Sequence, residues 1–227
     1  AGQTYWLDPT GNYQYGKLSQ IHQPNFGAAL LVNNNTTDLT LIDDLDNTDR
    51  VTYLDRFTIP EDNTKPILYT AEATYYGRDA ESRRARYAGQ SLAQQKQDYL
   101  KFYRKYYPEI EMQEDIKIED DTENNTLIQR ENYKIHNFWT DHPEKKKLTG
   151  RFYANLINDR FSAPSEPQRQ DPLVLWWPDR VSQEIRIKFE EDNWQFDDED
   201  FSDDNAFFKA KYQARYDRVQ RILTLTF

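Results

Sequence analysis

Few residues in this chain are of types that carry chemistry, and their spacing limits what they do. The 227 residues include three histidines, His22, His136 and His142, and no cysteine. Without a thiol, the chain holds no cysteine nucleophile, no thiolate metal site and no disulfide. The histidines lie in different segments without ligand spacing. They read as structural or surface imidazoles, and no metal or other cofactor is expected. The acidic run Asp197-Asp198-Glu199-Asp200, with Asp203 and Asp204, supplies oxygen ligands but lacks the turn glycine and distal Glu of a calcium loop. A solvated acidic loop is the plainer reading, there and at Asp120-Asp121 with Glu123. Ser91 and Ser182 stand in no Gly-x-Ser-x-Gly elbow, and 7 glycines leave little material for a phosphate-cradling loop.

Arg83, Arg84 and Arg86, with Lys96, Lys101, Arg104 and Lys105, offer cations to a polyanion or a lipid headgroup. A solvated helix face is the plainer reading, and a lid over an acidic sheet is another. A carboxylate hydrolase built on Glu131 or Asp197 needs a second carboxyl across a cleft, and the sequence singles out none. Trp176 and Trp177 are adjacent, so a strand turns them to opposite faces. With Trp6 and Trp194 they are the candidate binding-surface residues, set against plain domain packing.

The elements that position these side chains are read from composition and pattern. Hydrophobic residues at 37%, charged residues at 30% and aromatics at 15% describe a globular chain with many half-buried rings. No run of about 18 apolar residues occurs, so no membrane span is expected. The balance of 39 acidic to 29 basic residues, net -10, argues against a nucleic-acid partner. Residues 3–7 read as a strand ended by Asp8-Pro9-Thr10-Gly11, and residues 12–26 as a polar strap. Residues 28–32 and 39–42 form a hairpin around a polar loop, and 43–50 a charged linker. Val51, Tyr53 and Phe57 share one strand face, and Ile67, Tyr69, Ala71, Ala73 and Tyr75 share another. A helical block runs from Asp79 to Tyr107, interrupted at Gly89, with Ser91 and Gln94 as a capping box and Pro108 as its stop. Residues 110–119 and 126–138 alternate as a hairpin with a bulge near Asp115-Ile116. A short helix over 151–161 precedes strands over 173–177 and 181–189. An acidic loop over 190–204 leads to two last strands, 205–216 and 219–227. The expected fold is mainly β with one helical block: an antiparallel β-sandwich or a strongly curved open sheet, covered by a helix.

Tyr5-Trp6-Leu7-Asp8-Pro9-Thr10 resembles the end of the catalytic core in transglutaminase-like, papain-type proteins. The run from Phe26-Gly27-Ala28-Ala29-Leu30 onward resembles the segment after that core in bacterial envelope proteins that also carry domain of unknown function 3857. So do Ala73-x-Tyr75-x-Gly77-x-Asp79-Ala80 with Arg83 or Arg84 after it, and Tyr103-x-x-x-Tyr107-Pro108-x-Ile110. Asp120-Asp121, Asn124-Asn125 and Glu131-x-Tyr133-x-Ile135 ending near Trp139 extend the likeness, as does Arg169-x-x-Pro172-Leu173 before Trp177-Pro178.

The resemblance spans most of the chain. It implies that Asp8 is the orienting carboxylate of a Cys-His-Asp triad and that Trp6 walls that site. The cysteine and histidine would lie in an upstream core of the same polypeptide, so this chain alone is expected to be inactive even where the parent is an enzyme. The start at Ala1, the single Met112 and the abrupt last strand fit a piece of a longer protein. Residues 1–50 then comprise the end of the core and a connecting hairpin. Residues 51–227 form a β-rich accessory domain with the helical insertion 79–107. By resemblance the location is periplasmic or cell-envelope, the role scaffolding or docking, and the partner a protein or peptide substrate. The alternative is an independent glycan- or protein-binding β-sandwich module.

Overall fold

A strict alternation of inward and outward side chains builds the principal element. The computed structural model describes residues 5–7, 9–18, 27–42, 51–160, 180–206 and 208–227. In β3 (Val51–Ile59), β4 (Ile67–Tyr76), β7 (Thr126–Ile135) and β10 (Val181–Phe189), odd-numbered residues face one side and even-numbered residues the other. The odd face carries the core, including Phe57, Ile67, Tyr69, Tyr133, Ile135, Ile185, Ile187 and Phe189. These strands belong to a 9-stranded sheet. From one edge, its order is β11 (Glu199–Asp204), β12 (Lys209–Asp217), β13 (Ile222–Thr226), β10, β3, β4, β7 and β5 (Ile110–Met112), with β6 (Lys117–Asp121) also on β7. Two small ladders stand apart from it: β1 (Ala28–Ala29) with β2 (Thr40–Leu41), and β8 (Thr140–His142) with β9 (Lys147–Thr149).

Three helices cover the odd face. Helix α1 (Gly77–Gly89) springs directly from the end of β4, where Gly77 takes φ +51°, a left-handed conformation that suits glycine. Its Ala80 packs against Val51, Ala73, Tyr75 and Leu127. Helix α2 (Leu92–Tyr103) is capped by Ser91, whose hydroxyl accepts from the Gln94 amide at 3.2 Å. The Gln94 side chain donates to Asp98 instead of reaching back, so only half of the expected capping box forms. Helix α3 (Asn155–Arg160) meets β10.

An aromatic ladder joins the helices to the sheet. Phe57, Tyr69 and Tyr133 stand in one row across β3, β4 and β7. Phe57 and Tyr69 stack at 4.4 Å, and Tyr69 and Tyr133 at 5.6 Å. Tyr103 of α2 sets its edge on both tyrosines. Such pairs each contribute about 0.5–1.5 kcal/mol beyond their burial.

The mainly β architecture with a helical block is what the alternation indicates, in its open-sheet form. Four local expectations change. The β10–β3 pair is parallel, because the strands are joined through distant segments and need no hairpin. Residues 110–119 divide into β5 and β6, both paired to β7, with the break where the phase slips. Residues 199–204, expected as a loop, form an edge strand whose carboxylates are paired across strands, Asp204 with Lys209 at 2.9 Å and Asp200 with Arg215 at 2.7 Å. Residues 5–7, expected in a strand, lie outside any strand. The expected strand 173–177 lies outside the described residues.

Ile187→Ala removes a side chain with 0% exposure. It should lower unfolding free energy by about 3 kcal/mol in urea titration, whereas Val219→Ala, at a site 92% exposed, should change it by less than ~0.5 kcal/mol.

Candidate functional site

The odd face of the sheet is not wholly apolar. Asp55 of β3 and Glu131 of β7 lie in one transverse row, each directly opposite Ala71 of β4. Two strand spacings put them about 9–10 Å apart. Both are buried, at 4% and 3% exposure. Asp55 accepts from the Tyr69 hydroxyl at 2.7 Å and from Gln183 Nε2 at 2.6 Å. Gln183 also donates to Asn155 Oδ1 at 3.1 Å and accepts from the Leu156 amide at 3.3 Å, which ties α3 to the network. Glu131 accepts from the Tyr133 hydroxyl and from Gln129 Nε2. Gln129 in turn accepts from the Tyr99 hydroxyl at 2.9 Å, and Arg83 donates to Tyr99 at 3.2 Å. The Arg83 guanidinium lies 4.4 Å from the Tyr75 ring centre.

Burial pushes both carboxyls up. Asp55 moves from 3.8 to about 6 despite hydrogen bonds from Tyr69 and Gln183 that favour its ionised form. Glu131 moves from 4.5 to about 7, with Tyr133, Gln129 and Arg83 opposing the desolvation and Asp55 adding to it. Glu131 therefore has a second buried carboxyl in its own row, two strands away. Yet both groups are sealed under rings and helices. Their hydrogen-bond partners are protein side chains, and the arrangement serves as an internal polar clasp between helices and sheet.

A second cluster fixes the chain's early residues. Arg84 of α1 forms a fork with Asp120, Nε to Oδ1 at 2.9 Å and Nη2 to Oδ1 at 2.7 Å, and donates to Asn125 Oδ1 at 2.6 Å. Asn125 donates to Glu81 at 2.8 Å, and its carbonyl accepts from the Gly77 amide at 2.9 Å. The Tyr15 ring lies 4.9 Å from the Arg84 guanidinium. Beside it Gly16 takes φ +94°, and a Cβ there would come within 3.1 Å of Asn125 Cβ. The segment 9–18 is thus held against α1 and the β6–β7 turn by a guanidinium and by the absence of a side chain.

Several residues marked in the sequence are placed by this geometry. Arg83 and Arg84 turn inward, Arg86 pairs with Asp98 at 3.1 Å, and Lys96 pairs with Asp115. The cationic helix face is therefore largely engaged within the chain. Trp194 is half-buried, stacked 6.0 Å from Trp139 and 6.0 Å from Phe196 and tilted on Phe189 at 4.6 Å. Trp6 is half-buried. Asp8, Trp176, Trp177 and His22 lie outside the described residues. His136 approaches Glu111 at 3.3 Å and His142 approaches Glu144 at 3.9 Å, in separate places. Among the described residues no group of three His, Asp or Glu is arranged to hold a metal, and no helix is long and apolar enough to cross a membrane.

The even face of the sheet is open among the described residues. A concavity of about 260 Å³ on it is bordered by Thr52, Leu54, Glu72, Ser182, Glu184 and Thr226. Asp55 and the Arg84 cluster were missed at the sequence level. The available signals were polar residues at inward-phase positions, namely Asp55, Gln129, Glu131 and Gln183. Comparison of the chain with protein-family models, curated proteins and solved structures finds no match.

Both clusters have measurable consequences. The folded state holds protons on Asp55 and Glu131 at pH values where the unfolded chain has released them. Stability from this source is complete below about pH 4 and is lost as pH rises through about 6 and 7. Urea titrations from pH 4.5 to 8 should show Asp55→Asn/Glu131→Gln gaining on the native chain as pH rises, by about 2 kcal/mol from the Asp55 site and about 3 kcal/mol from the Glu131 site. A constant difference across that range would refute the assignment. Arg84→Ala should cost about 2 kcal/mol by leaving Asn125 and Asp120 without their donor, and Arg84→Lys should not restore it, because an ammonium cannot reproduce the fork.

Proposed function

We propose that this chain is a non-catalytic accessory or scaffold domain adjoining a transglutaminase-like, papain-type core of the same polypeptide in the bacterial cell envelope. It positions a protein or peptide substrate or docks a protein partner. The observation that carries the reading is the seating of residues 9–18 on the body of the fold through Tyr15, Gly16 and Arg84. The motif Tyr5-Trp6-Leu7-Asp8-Pro9-Thr10, which resembles the end of such a core, enters that segment directly. A core ending there would be held in a defined place relative to the sheet instead of trailing on a free linker. The sealing of Asp55 and Glu131 supports the non-catalytic part, since neither carboxyl has an opening to a substrate. In this reading Asp8 contributes only the carboxylate that orients an upstream histidine, and the nucleophilic sulfur comes from the core.

The test uses the natural polypeptide that extends upstream of Ala1, with the isolated chain beside it. Amide turnover is monitored by incorporation of a fluorescent primary amine into a glutamine-containing protein and by release of labelled peptide. The extended polypeptide should turn over and the isolated chain should not. Arg84→Ala in the extended polypeptide should raise KM several-fold with a smaller change in kcat. Turnover by the isolated chain, or an upstream sequence lacking a cysteine and a histidine, defeats the proposal.

A further inference from the structure

The buried clusters between sheet and helices draw on residues from 51 onward, and none of the described residues 27–42 joins either. Yet the hairpin in that early segment is aliphatic. Its strands β1 and β2 pair Ala28 with Leu41 and Ala29 with Thr40, and the Ile42 amide donates to the Gly27 carbonyl at 3.0 Å. Continuing the register by one pair sets Leu30 opposite Leu39, on the face that Ala28 and Leu41 share. All four of these residues are aliphatic. Leu30 is 62% exposed, Leu39 60% and Leu41 78%, and Val32 just beyond them is 96% exposed. The opposite face, with Ala29 and Thr40, is half-buried. Asp38 is the one charged residue among residues 27–42, in a chain where charged residues make up 30%. Its carboxylate accepts from the Leu39 amide at 2.7 Å, so the aliphatic face itself carries no charge.

These features select what covers the face. A lone two-stranded hairpin is marginally stable at best and needs a surface to lie on. A transient partner docks on a surface of mixed polarity, because water must tolerate that surface when it is free. An obligate interface is instead as apolar as a domain interior. An uncharged, all-aliphatic face is of the second kind, so its cover is present in equal amount and at all times. A domain of the same polypeptide meets that condition, and a short tether gives it an effective concentration in the roughly millimolar range. Placement along the chain agrees. Residues 9–18 are held on the body by Tyr15, Gly16 and Arg84. The motif that resembles the end of a core enters that segment at Pro9. The hairpin begins nine residues beyond Leu18, at most about 30 Å of chain. Core and hairpin thus hang from the two ends of one fixed strap.

We infer that the aliphatic face of the 27–42 hairpin packs permanently against the transglutaminase-like core upstream on the same polypeptide. This deepens the scaffold reading and rests on it. The mate on the core is a neutral apolar patch, and the hairpin fixes the core at a second place besides the strap.

The test is hydrogen exchange, read by mass spectrometry, on the isolated chain and on the natural polypeptide that extends upstream of Ala1. Amides of residues 28–31 and 39–42 should exchange roughly tenfold or more slowly in the extended polypeptide than in the isolated chain. The triple variant Leu30→Ser/Leu39→Ser/Leu41→Ser should abolish that difference. It should lower the melting temperature of the extended polypeptide by about 5 °C and that of the isolated chain by less than ~1 °C. Val219→Ser, at an exposed apolar site on the sheet's own turn, should change neither protein. Equal exchange in the two proteins, protection already present in the isolated chain, or the same effect from Val219→Ser overturns the inference. Self-association of the isolated chain in sedimentation, abolished by the triple variant, overturns it in favour of a second copy. Flotation of the extended polypeptide with phosphatidylglycerol vesicles, abolished by the same variant, overturns it in favour of a membrane surface. Equal exchange in an extended polypeptide that turns over amide substrate removes only this inference, whereas turnover by the isolated chain removes the scaffold reading beneath it.

Discussion

Two carboxyl groups buried beneath aromatic rings are the constraint to which the rest of the fold answers. A carboxyl without water demands donors, and here Tyr69, Gln183, Tyr133 and Gln129 supply them. Those donors come from three strands, and their own remaining valences are met by Asn155 of α3 and Tyr99 of α2. The network therefore fixes where the helices sit. An apolar interface of the same area would tolerate sliding; a set of directed bonds tolerates little. Ala71 between the two carboxyls keeps the row low enough for the rings of the neighbouring row to close over it.

The consequence is a two-sided sheet with a division of labour. One side is consumed by internal contacts, aromatic and polar, and is the origin of rigidity. The other, uncovered among the described residues, displays hydroxyls, amides and ion pairs on short or extended side chains. The Arg84 cluster adds a fixed attachment for residues 9–18 at the margin of the helical block. Rigidity, attachment and an available face are what a positioning domain requires, and none of them asks for a reactive group.

Much of the sheet was legible in the sequence. Ile67, Tyr69, Ala71, Ala73 and Tyr75 alternate because one side of β4 is covered, and Ser91 announces α2 through the cap that it forms. The core phase of β3 was harder, since Asp55 interrupts the apolar run between Tyr53 and Phe57. Its inward position makes sense only when Tyr69 and Gln183 are seen beside it. The parallel pairing of β10 with β3 leaves no local trace, because both strands alternate identically whichever neighbour they take. Strand β11 was hidden by its composition: Asp and Glu are poor strand residues alone, and the cations that offset them lie on β12. The hydrolytic reading of Glu131 was open in the sequence, and burial, which no spacing encodes, closes it.

The acidic character of β11 has a bearing on crowded solutions. This strand forms one rim of a large sheet, with backbone donors and acceptors along its outer side, a natural template for growth by stacking copies. A second molecule adding rim to rim would bring Glu199, Asp200, Asp203 and Asp204 against their own duplicates. Repulsion at that seam opposes the backbone bonds it would create, so the carboxylates disfavour growth of the sheet from copy to copy.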